Sequence, residues 1–122
     1  MKSRPRILVV DDDAPILVLM KNLLREFGFE PVVAADGPQA IREAKAAPPD
    51  LMLIDRNMPG MNGDEVVRAL REDGARNFPI LILSGEPLER EELERIGANG
   101  AVLKPFDVTA LIDEIRAKLA GA

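Results

Sequence analysis

Short apolar runs alternate along the chain with segments in which apolar residues recur every three or four positions. Five runs have the length of strands, and they span residues 7–10, 31–35, 51–54, 80–83 and 101–103. Four of the five are apolar throughout instead of alternating, which is typical of strands buried on both faces of a parallel sheet. The pattern therefore predicts a parallel sheet covered by helices on both sides.

The first helix is predicted by a stripe of apolar residues at helical spacing. These residues are Ile16, Leu19, Met20, Leu23, Leu24 and Phe27. Pro15 suits the first turn of a helix, and Gly28 is a typical C-terminal stop. If this stripe faces the sheet, Leu17 and Val18 point outward.

A second stripe predicts the last helix, and it consists of Val108, Leu111, Ile112, Ile115 and Leu119. Asp107 precedes this stripe and is a suitable N-cap, because its carboxylate can accept a hydrogen bond from a backbone N–H group of the first turn. Three further helices are expected between turns rich in glycine and proline, at residues 39–46, 64–72 and 88–96. The segment 88–96 is mostly charged.

Strands that alternate with helices form right-handed crossover units, which assemble into a doubly wound open sheet. The expected fold class is α/β: a five-stranded parallel sheet with five helices, in a flavodoxin-like three-layer sandwich. For the strand order we adopt 2-1-3-4-5, one of the two common orders of doubly wound sheets. No linker, repeat or low-complexity segment divides the sequence. We therefore expect residues 1–122 to form a single domain.

Polar residues directly follow four of the predicted strands, and they are Asp11 to Asp13, Asp55, Ser84 and Lys104. In an open parallel sheet the ligand site lies beyond the carboxyl ends of the strands. With the expected order, the first and third strands are neighbours about 4.8 Å apart, so Asp11, Asp12 and Asp55 converge. The sequence therefore predicts a carboxylate cluster at this edge.

Clustered carboxylates cannot all stay ionised unless a proton or a cation compensates them. Oxygen ligands without imidazole or thiol favour Mg²⁺, which accepts one or two carboxylates together with a phosphate oxygen. The long side chain of Lys104 can reach across roughly 10 Å, the width of two strand spacings, while Ser84 lies one strand away. Both could then contact a phosphoryl group on Asp55.

Each feature taken alone also has an ordinary structural explanation. The acidic run at residues 11–13 could be a solvated turn before a helix N-terminus. Lys104 could be a surface lysine, and Ser84 could satisfy a turn. Their joint position at one sheet edge favours a site that handles phosphate.

Composition excludes several classes of chemistry. The chain has no Cys and no His, so it forms no disulfide and offers no thiolate, imidazole base or phosphohistidine. Its formal charge of -5 disfavours direct binding of nucleic acid and of anionic membranes. Because no apolar run approaches the roughly 20 residues of a membrane span, we expect a cytoplasmic protein.

The strand-end residues resemble the receiver domain of bacterial two-component response regulators. The matching motifs are Val9-Val10-Asp11-Asp12, Leu53-Ile54-Asp55, the run from Asn57 to Gly63, Ser84-Gly85 and Leu103-Lys104-Pro105-Phe106. The resemblance covers essentially the whole chain, and its most specific part is the segment from Asp55 to Gly63.

This resemblance implies that Asp55 accepts a phosphoryl group from a partner's phosphohistidine. It also implies that Asp12, Asp55 and the backbone carbonyl of Asn57 ligate Mg²⁺, with Asp11 acting largely through water. The partner would be a histidine kinase or a histidine phosphotransfer protein. The chain would be no enzyme in the usual sense, since it would catalyse only its own phosphorylation and dephosphorylation.

Further roles follow from the same resemblance. Lys104 would contact the phosphoryl group, Ser84 would swing to hydrogen-bond it, and Pro105 would follow a cis peptide bond. Asn57 and Glu86 would tune dephosphorylation, and since both are polar we expect a short-lived phosphorylated state. Ala101 stands where many members carry an aromatic switch residue. We therefore expect one of two alternatives: activation proceeds through the loop after Ser84, or the domain acts as a phosphate relay.

Some alternatives remain open at this level. The outward pair Leu17 and Val18 is expected to dock the partner's helical bundle, although a neighbouring loop could bury it instead. The domain could also be a receiver-like adaptor that is never phosphorylated. A metal-dependent phosphatase acting through an aspartyl phosphate is disfavoured, because Asn57 stands where such enzymes usually place a second acid. We expect a monomer or a weak dimer.

Overall fold

Five parallel strands and five helices alternate strictly along the chain in a computed structural model that describes residues 4–74 and 77–121. The strands are β1 (Arg6–Val10), β2 (Glu30–Ala34), β3 (Leu51–Asp55), β4 (Ile80–Ser84) and β5 (Gly100–Leu103). The helices are α1 (Ala14–Glu26), α2 (Gly37–Ala46), α3 (Gly63–Glu72), α4 (Arg90–Ile96) and α5 (Val108–Leu119). The sheet order is β2-β1-β3-β4-β5, which confirms the predicted topology.

Two apolar cores lie on opposite faces of the sheet. Alternate strand residues point to opposite faces, so neighbours such as Leu53 and Ile54 belong to different cores. One core packs α1 and α5 against the sheet, and the other packs α2, α3 and α4. The central strands β3 and β4 are buried at every position, as the continuous apolar runs predicted.

The ends of the elements depart from the predicted bounds by one or two residues. Asp55 and Ser84 are the last residues of β3 and β4 and do not follow them. Helix α4 begins at Arg90 and not at residue 88. Asp107 caps α5 as predicted, since its carboxylate accepts a hydrogen bond of 3.3 Å from the N–H of Ala110.

The phase of α1 differs from the prediction. Its buried residues are Leu17, Met20 and Leu24, while Val18 and Leu19 are 59% and 57% exposed. The expectation that Leu17 points outward was therefore wrong, as was the inward position of Leu19. Apolar residues occupy nearly every position of the first turns, so the spacing alone fits more than one face, and packing on the sheet selects one.

No helix in the described part of the chain is long and apolar enough to cross a membrane.

Candidate functional site

A cavity of about 350 Å³ opens at the carboxyl ends of β1 and β3. Its lining residues are Asp11, Asp12, Asp13, Ile16, Asp55, Leu83, Lys104 and Phe106. Asp11 and Asp55 are each only 5% exposed, whereas Asp12 is exposed. The cavity is therefore an acidic site that is buried at its floor and open to solvent at its rim.

The sheet register brings the acidic residues together. Val10 pairs with Ile54 across β1 and β3, so Asp11 and Asp55 leave the sheet side by side. Carboxylate oxygens of Asp11, Asp12 and Asp55 lie within 4.8 Å of one another. This spacing suits three oxygen donors around one hard divalent cation.

Burial is the main influence on the Asp11 carboxyl. Desolvation raises the pKa of Asp11 above its usual range, and the charges of Asp55 and Asp12 raise it further. A hydrogen bond of 2.9 Å from the N–H of Asp13 opposes this shift, as does the charge of Lys104. The site thus holds more negative charge than its protein surroundings favour, which is the condition under which a cation binds well.

Lys104 reaches the carboxylate from the far side of β4. Its Nζ atom lies 2.7 Å from Oδ1 of Asp55, and its backbone N–H donates to the carbonyl of Ser84 at 2.7 Å. The Lys104–Pro105 peptide bond is cis. The N–H of Asn57 also donates to Oδ1 of Asp55, at 3.3 Å. In the described part of the chain Oδ2 of Asp55 accepts no hydrogen bond from protein.

Ser84 is 2% exposed and bonds to its own loop. Its hydroxyl donates to the carbonyl of Glu86 at 2.8 Å and accepts from the N–H of Glu86 at 3.1 Å. It lines a second opening of about 310 Å³, together with Arg56, Asn57, Gly85 and Glu86. Asn57 and Glu86, the two residues expected to tune dephosphorylation, therefore line the same opening as Ser84.

Comparison with known proteins identifies the family. Residues 7–116 match the family described as the response regulator receiver domain. The chain belongs to this family. It is also 39% identical over 118 residues, 95% of its length, to the DNA-binding response regulator MtrA of Mycobacterium tuberculosis, and 37% identical over 119 residues to the transcriptional regulatory protein PrrA of Mycobacterium leprae.

The receiver domain spans about half the length of these relatives, 51% of each. Among solved structures it resembles the chemotaxis protein CheY4 of Vibrio cholerae, with a TM-score of 0.88 and 33% identity over 94% of this chain and 98% of that one. A CheY-like receiver domain protein from Methanospirillum hungatei gives a TM-score of 0.87 at 27% identity, over 98% of this chain and 96% of the other.

Arg56 is a residue near the receiver site that sequence reasoning missed. Its guanidinium forks onto Asp64 of α3 with two hydrogen bonds of 3.2 Å, and one nitrogen also lies 2.6 Å from Oε2 of Glu92 in α4. These hydrogen bonds, first to Asp64 and then to Glu92, raise the pKa of Arg56. The sequence signal was a charged residue directly after Asp55, but one of its partners, Glu92, is 36 positions away in sequence.

Gly63 provides the close approach that lets α3 start beside Asp55. Its N–H donates to the carbonyl of Arg56 at 2.9 Å. A Cβ atom at Gly63 would lie 2.5 Å from the carbonyl oxygen of Asp55 and 2.9 Å from Cα of Arg56. These distances leave room only for glycine between β3 and α3, and the capping box of Asn62 and Glu65 then begins the helix.

Proposed function

We propose that this receiver domain is a phosphoacceptor module of a two-component or phosphorelay pathway, with Asp55 as the acceptor. The observation that carries this proposal is the buried carboxylate of Asp55, which Lys104 contacts at 2.7 Å while two further acidic side chains stand beside it. A lone buried acid paired with one lysine would be a structural ion pair. The surplus of carboxylates in an open cavity instead favours a site that takes up a cation and an anion together.

The reaction is a nucleophilic displacement at phosphorus. A carboxylate oxygen of Asp55 attacks the phosphoryl group of a phosphohistidine, and the bond between phosphorus and the imidazole nitrogen breaks. The nitrogen leaves with the electron pair and takes up a proton, and an acyl phosphate remains on Asp55. Lys104 and the N–H of Asn57 hold Oδ1, which leaves Oδ2 available for attack.

The donor set fits a divalent cation. Asp11, Asp12 and Asp55 would hold Mg²⁺ together with the backbone carbonyl of Asn57, and Asp11 would act largely through water. When bound, the ion would neutralise charge on the phosphoryl oxygens and orient them for transfer. Lys104 adds a second positive charge from the protein itself.

Ser84 is the group that responds to the phosphoryl group. To hydrogen-bond a phosphoryl oxygen, its hydroxyl must give up its two bonds to Glu86. The loop after β4 is then free to move. Because Ala101 stands in place of an aromatic switch residue, this supports a role for the loop in transmitting the phosphorylation signal. Asn57 and Glu86 line the opening next to Ser84, which supports a role for them in ordering a water that hydrolyses the acyl phosphate.

The donor is a histidine kinase or a histidine phosphotransfer protein, and it docks on the outer face of α1. Ile16 lines the carboxylate cavity, and the exposed apolar pair Val18 and Leu19 follows it within one turn. A donor that presents its histidine to Asp55 must lie close to this turn. The docking pair is therefore Val18 and Leu19, because Leu17 belongs to the core.

The names of MtrA and PrrA describe a DNA-binding regulator and a transcriptional regulatory protein, each about twice the length of this chain. We propose that the present chain binds no nucleic acid itself and catalyses only its own phosphorylation and dephosphorylation. The cytoplasmic location and the monomeric or weakly dimeric state expected from the sequence stay predictions.

Intact-mass measurement with acetyl phosphate and Mg²⁺ tests the proposed function. We expect an adduct of about 80 mass units, the increment of one phosphoryl group, that decays within hours. The adduct should be absent when Mg²⁺ is chelated and absent in Asp55→Ala. Asp113→Ala, which removes an exposed aspartate of α5, serves as the control and should label like the wild type.

The same experiment separates the competing functions. An adaptor that is never phosphorylated gives no adduct under any condition. An adduct that persists in Asp55→Ala would show that another residue is the acceptor, and a half-life of many hours would contradict the role given to Asn57 and Glu86.

A further inference from the structure

Arg56 connects the acceptor strand to two helices. Its backbone N–H donates to the carbonyl of Leu83 at 3.0 Å, and its carbonyl accepts from Gly63, so its main chain is held at the end of β3. Its side chain spans from there to Asp64 and Glu92. The guanidinium and both carboxylates are about one-quarter to one-third exposed, which limits screening by solvent.

Helix α4 has few other attachments. It has seven residues, Ile96 is its only buried residue, and its N-cap Glu89 makes no side-chain capping hydrogen bond. Within the described chain, Glu92 is the only residue of α4 whose side chain forms an ion pair. The contact with Arg56 is therefore the ion pair that ties the middle of this helix to the end of β3.

Ser84 is linked to α4 through the loop that follows β4. Its hydroxyl bonds to Glu86, and α4 starts four residues later at Arg90. A movement of Ser84 toward Asp55 breaks the bonds to Glu86 and frees the loop that leads into α4. The ion pair between Arg56 and Glu92 opposes any shift of the helix that accompanies this movement.

We propose that Arg56 is a positioning residue whose ion pair with Glu92 holds α4 in its resting place and thereby restrains Ser84 from reaching the phosphoryl group. Since Asp64 binds the same guanidinium through two hydrogen bonds, Arg56 keeps a partner when Glu92 leaves. When α4 is released, the guanidinium of Arg56 is therefore not left unpaired. Two states, with α4 bound to Arg56 and with α4 released, are both feasible for this reason. The inference rests on the proposed phosphorylation of Asp55, and it gives the protein a coupling route that needs no aromatic residue at position 101.

Glu92→Gln tests this inference, with Glu94→Gln as the matched control. Glu94 lies on the same helix, is exposed and forms no ion pair among the described residues, so both variants remove one negative charge. We expect Glu92→Gln to raise the initial rate of phosphorylation by acetyl phosphate about fivefold. It should also speed hydrogen exchange of the α4 amides in the unphosphorylated protein, while Glu94→Gln behaves like the wild type in both measurements.

A double-mutant cycle shows whether the effect passes through Arg56. Arg56→Gln should raise the rate like Glu92→Gln, and the double variant should go no further than either single variant. Thermal unfolding of each variant shows that it is folded, and Glu92→Gln carries the test if Arg56→Gln does not fold.

The outcomes are distinguishable. Equal phosphorylation rates in Glu92→Gln and Glu94→Gln, with a normal adduct on the wild type, overturn the inference alone. Faster exchange in α4 without a faster rate also overturns it, since the pair would then be merely structural. An absence of any adduct on the wild-type protein overturns the proposed function and this inference together.

Discussion

The Nζ atom of Lys104 lies 2.7 Å from Oδ1 of Asp55, although 49 positions of sequence separate the residues and β4 lies between their strands. The contact places a compact positive charge beside a carboxylate that is 5% exposed and that shares its cavity with Asp11 and Asp12. One ammonium group cannot balance three carboxylates. In the proposed function the remaining negative charge would draw a cation into the site, and Lys104 would then contact the incoming phosphoryl group.

Removal of this ammonium group should impair phosphorylation more than folding. We expect Lys104→Gln to lower the rate of labelling by acetyl phosphate about a hundredfold, because a preorganised charge beside the transferred group is lost. Initial rates of adduct formation in intact-mass spectra measure this effect. Lys45→Gln, which breaks an exposed ion pair with Asp73, should label at the wild-type rate. An equal loss in both variants would mean that general charge, and not the contact with Asp55, sets the rate.

Asp11 should make the stability of the metal-free protein depend on pH. The pKa of Asp11 is raised in the folded state, mainly by burial. At pH values between its ordinary pKa of 3.8 and this raised pKa, the folded state therefore binds more protons than the unfolded state. Stability from this group is therefore full below pH 3.8 and falls as the pH rises through the folded pKa. Asp11→Asn should remove this loss and make the metal-free protein more stable than the wild type at pH 7.

Urea unfolding in the presence of a chelator, at pH 7 and again below pH 4, measures this difference. The advantage of Asp11→Asn should shrink toward zero at the lower pH, while Asp113→Asn, at an exposed position of α5, should change little at either. A variant that is less stable than the wild type at pH 7 would show that the ionised carboxylate is compensated within the protein.

The outer face of α1 can be tested as the docking surface of the donor. The donor is a phosphorylated histidine kinase that labels the wild-type protein. We expect the double variant Val18→Glu/Leu19→Glu to slow transfer from this kinase at least tenfold, because it places two charges in an apolar contact. Labelling by acetyl phosphate should be unchanged, since that donor needs no protein surface. Equal slowing with both donors would exclude a docking role.

Leu17 should behave differently from its two exposed neighbours. It is 8% exposed and packs in the core beneath α1, so Leu17→Glu buries a charge without a partner. We expect a loss of about 3 kcal/mol or more in the free energy of unfolding, measured with urea. If this variant is as stable as the wild type, Leu17 faces solvent, as the spacing of the apolar residues alone predicted.

Gly63 should tolerate no side chain. In Gly63→Ala the added methyl group meets the backbone of Asp55 and Arg56, which cannot give way as a flexible side chain could. We expect α3 to be displaced, the free energy of unfolding to fall by about 3 kcal/mol and labelling of Asp55 to slow. Gly85→Ala is the control, because a Cβ atom there meets nothing within 4 Å, and a similar loss of stability in both variants would reject the steric explanation.

Much of the site could be predicted because it is built from strand ends. Continuous apolar runs mark strands buried on both faces, and the residue at the end of each run must emerge at one edge of a parallel sheet. This reasoning locates Asp11, Asp55, Ser84 and Lys104 without any knowledge of side-chain positions. The helix cap at Asp107 is predictable for a similar reason, since a local hydrogen bond requires only a local sequence.

The features that could not be predicted depend on contacts between elements. The apolar residues around α1 fit several faces equally well, and only packing against the sheet buries Leu17 and exposes Leu19. The hydrogen bonds of Ser84 to Glu86 and the bridge from Arg56 to Glu92 likewise depend on where a loop and a helix settle.

By itself, then, the amino-acid sequence determined the layer architecture, the edge at which the chemistry lies and the residue types that carry it, because burial and periodicity act along the chain. The tertiary structure decided which face of α1 is exposed, where the hydroxyl of Ser84 lies and which carboxylates bind Arg56. These are choices among alternatives of similar local energy, and only the assembled packing separates them.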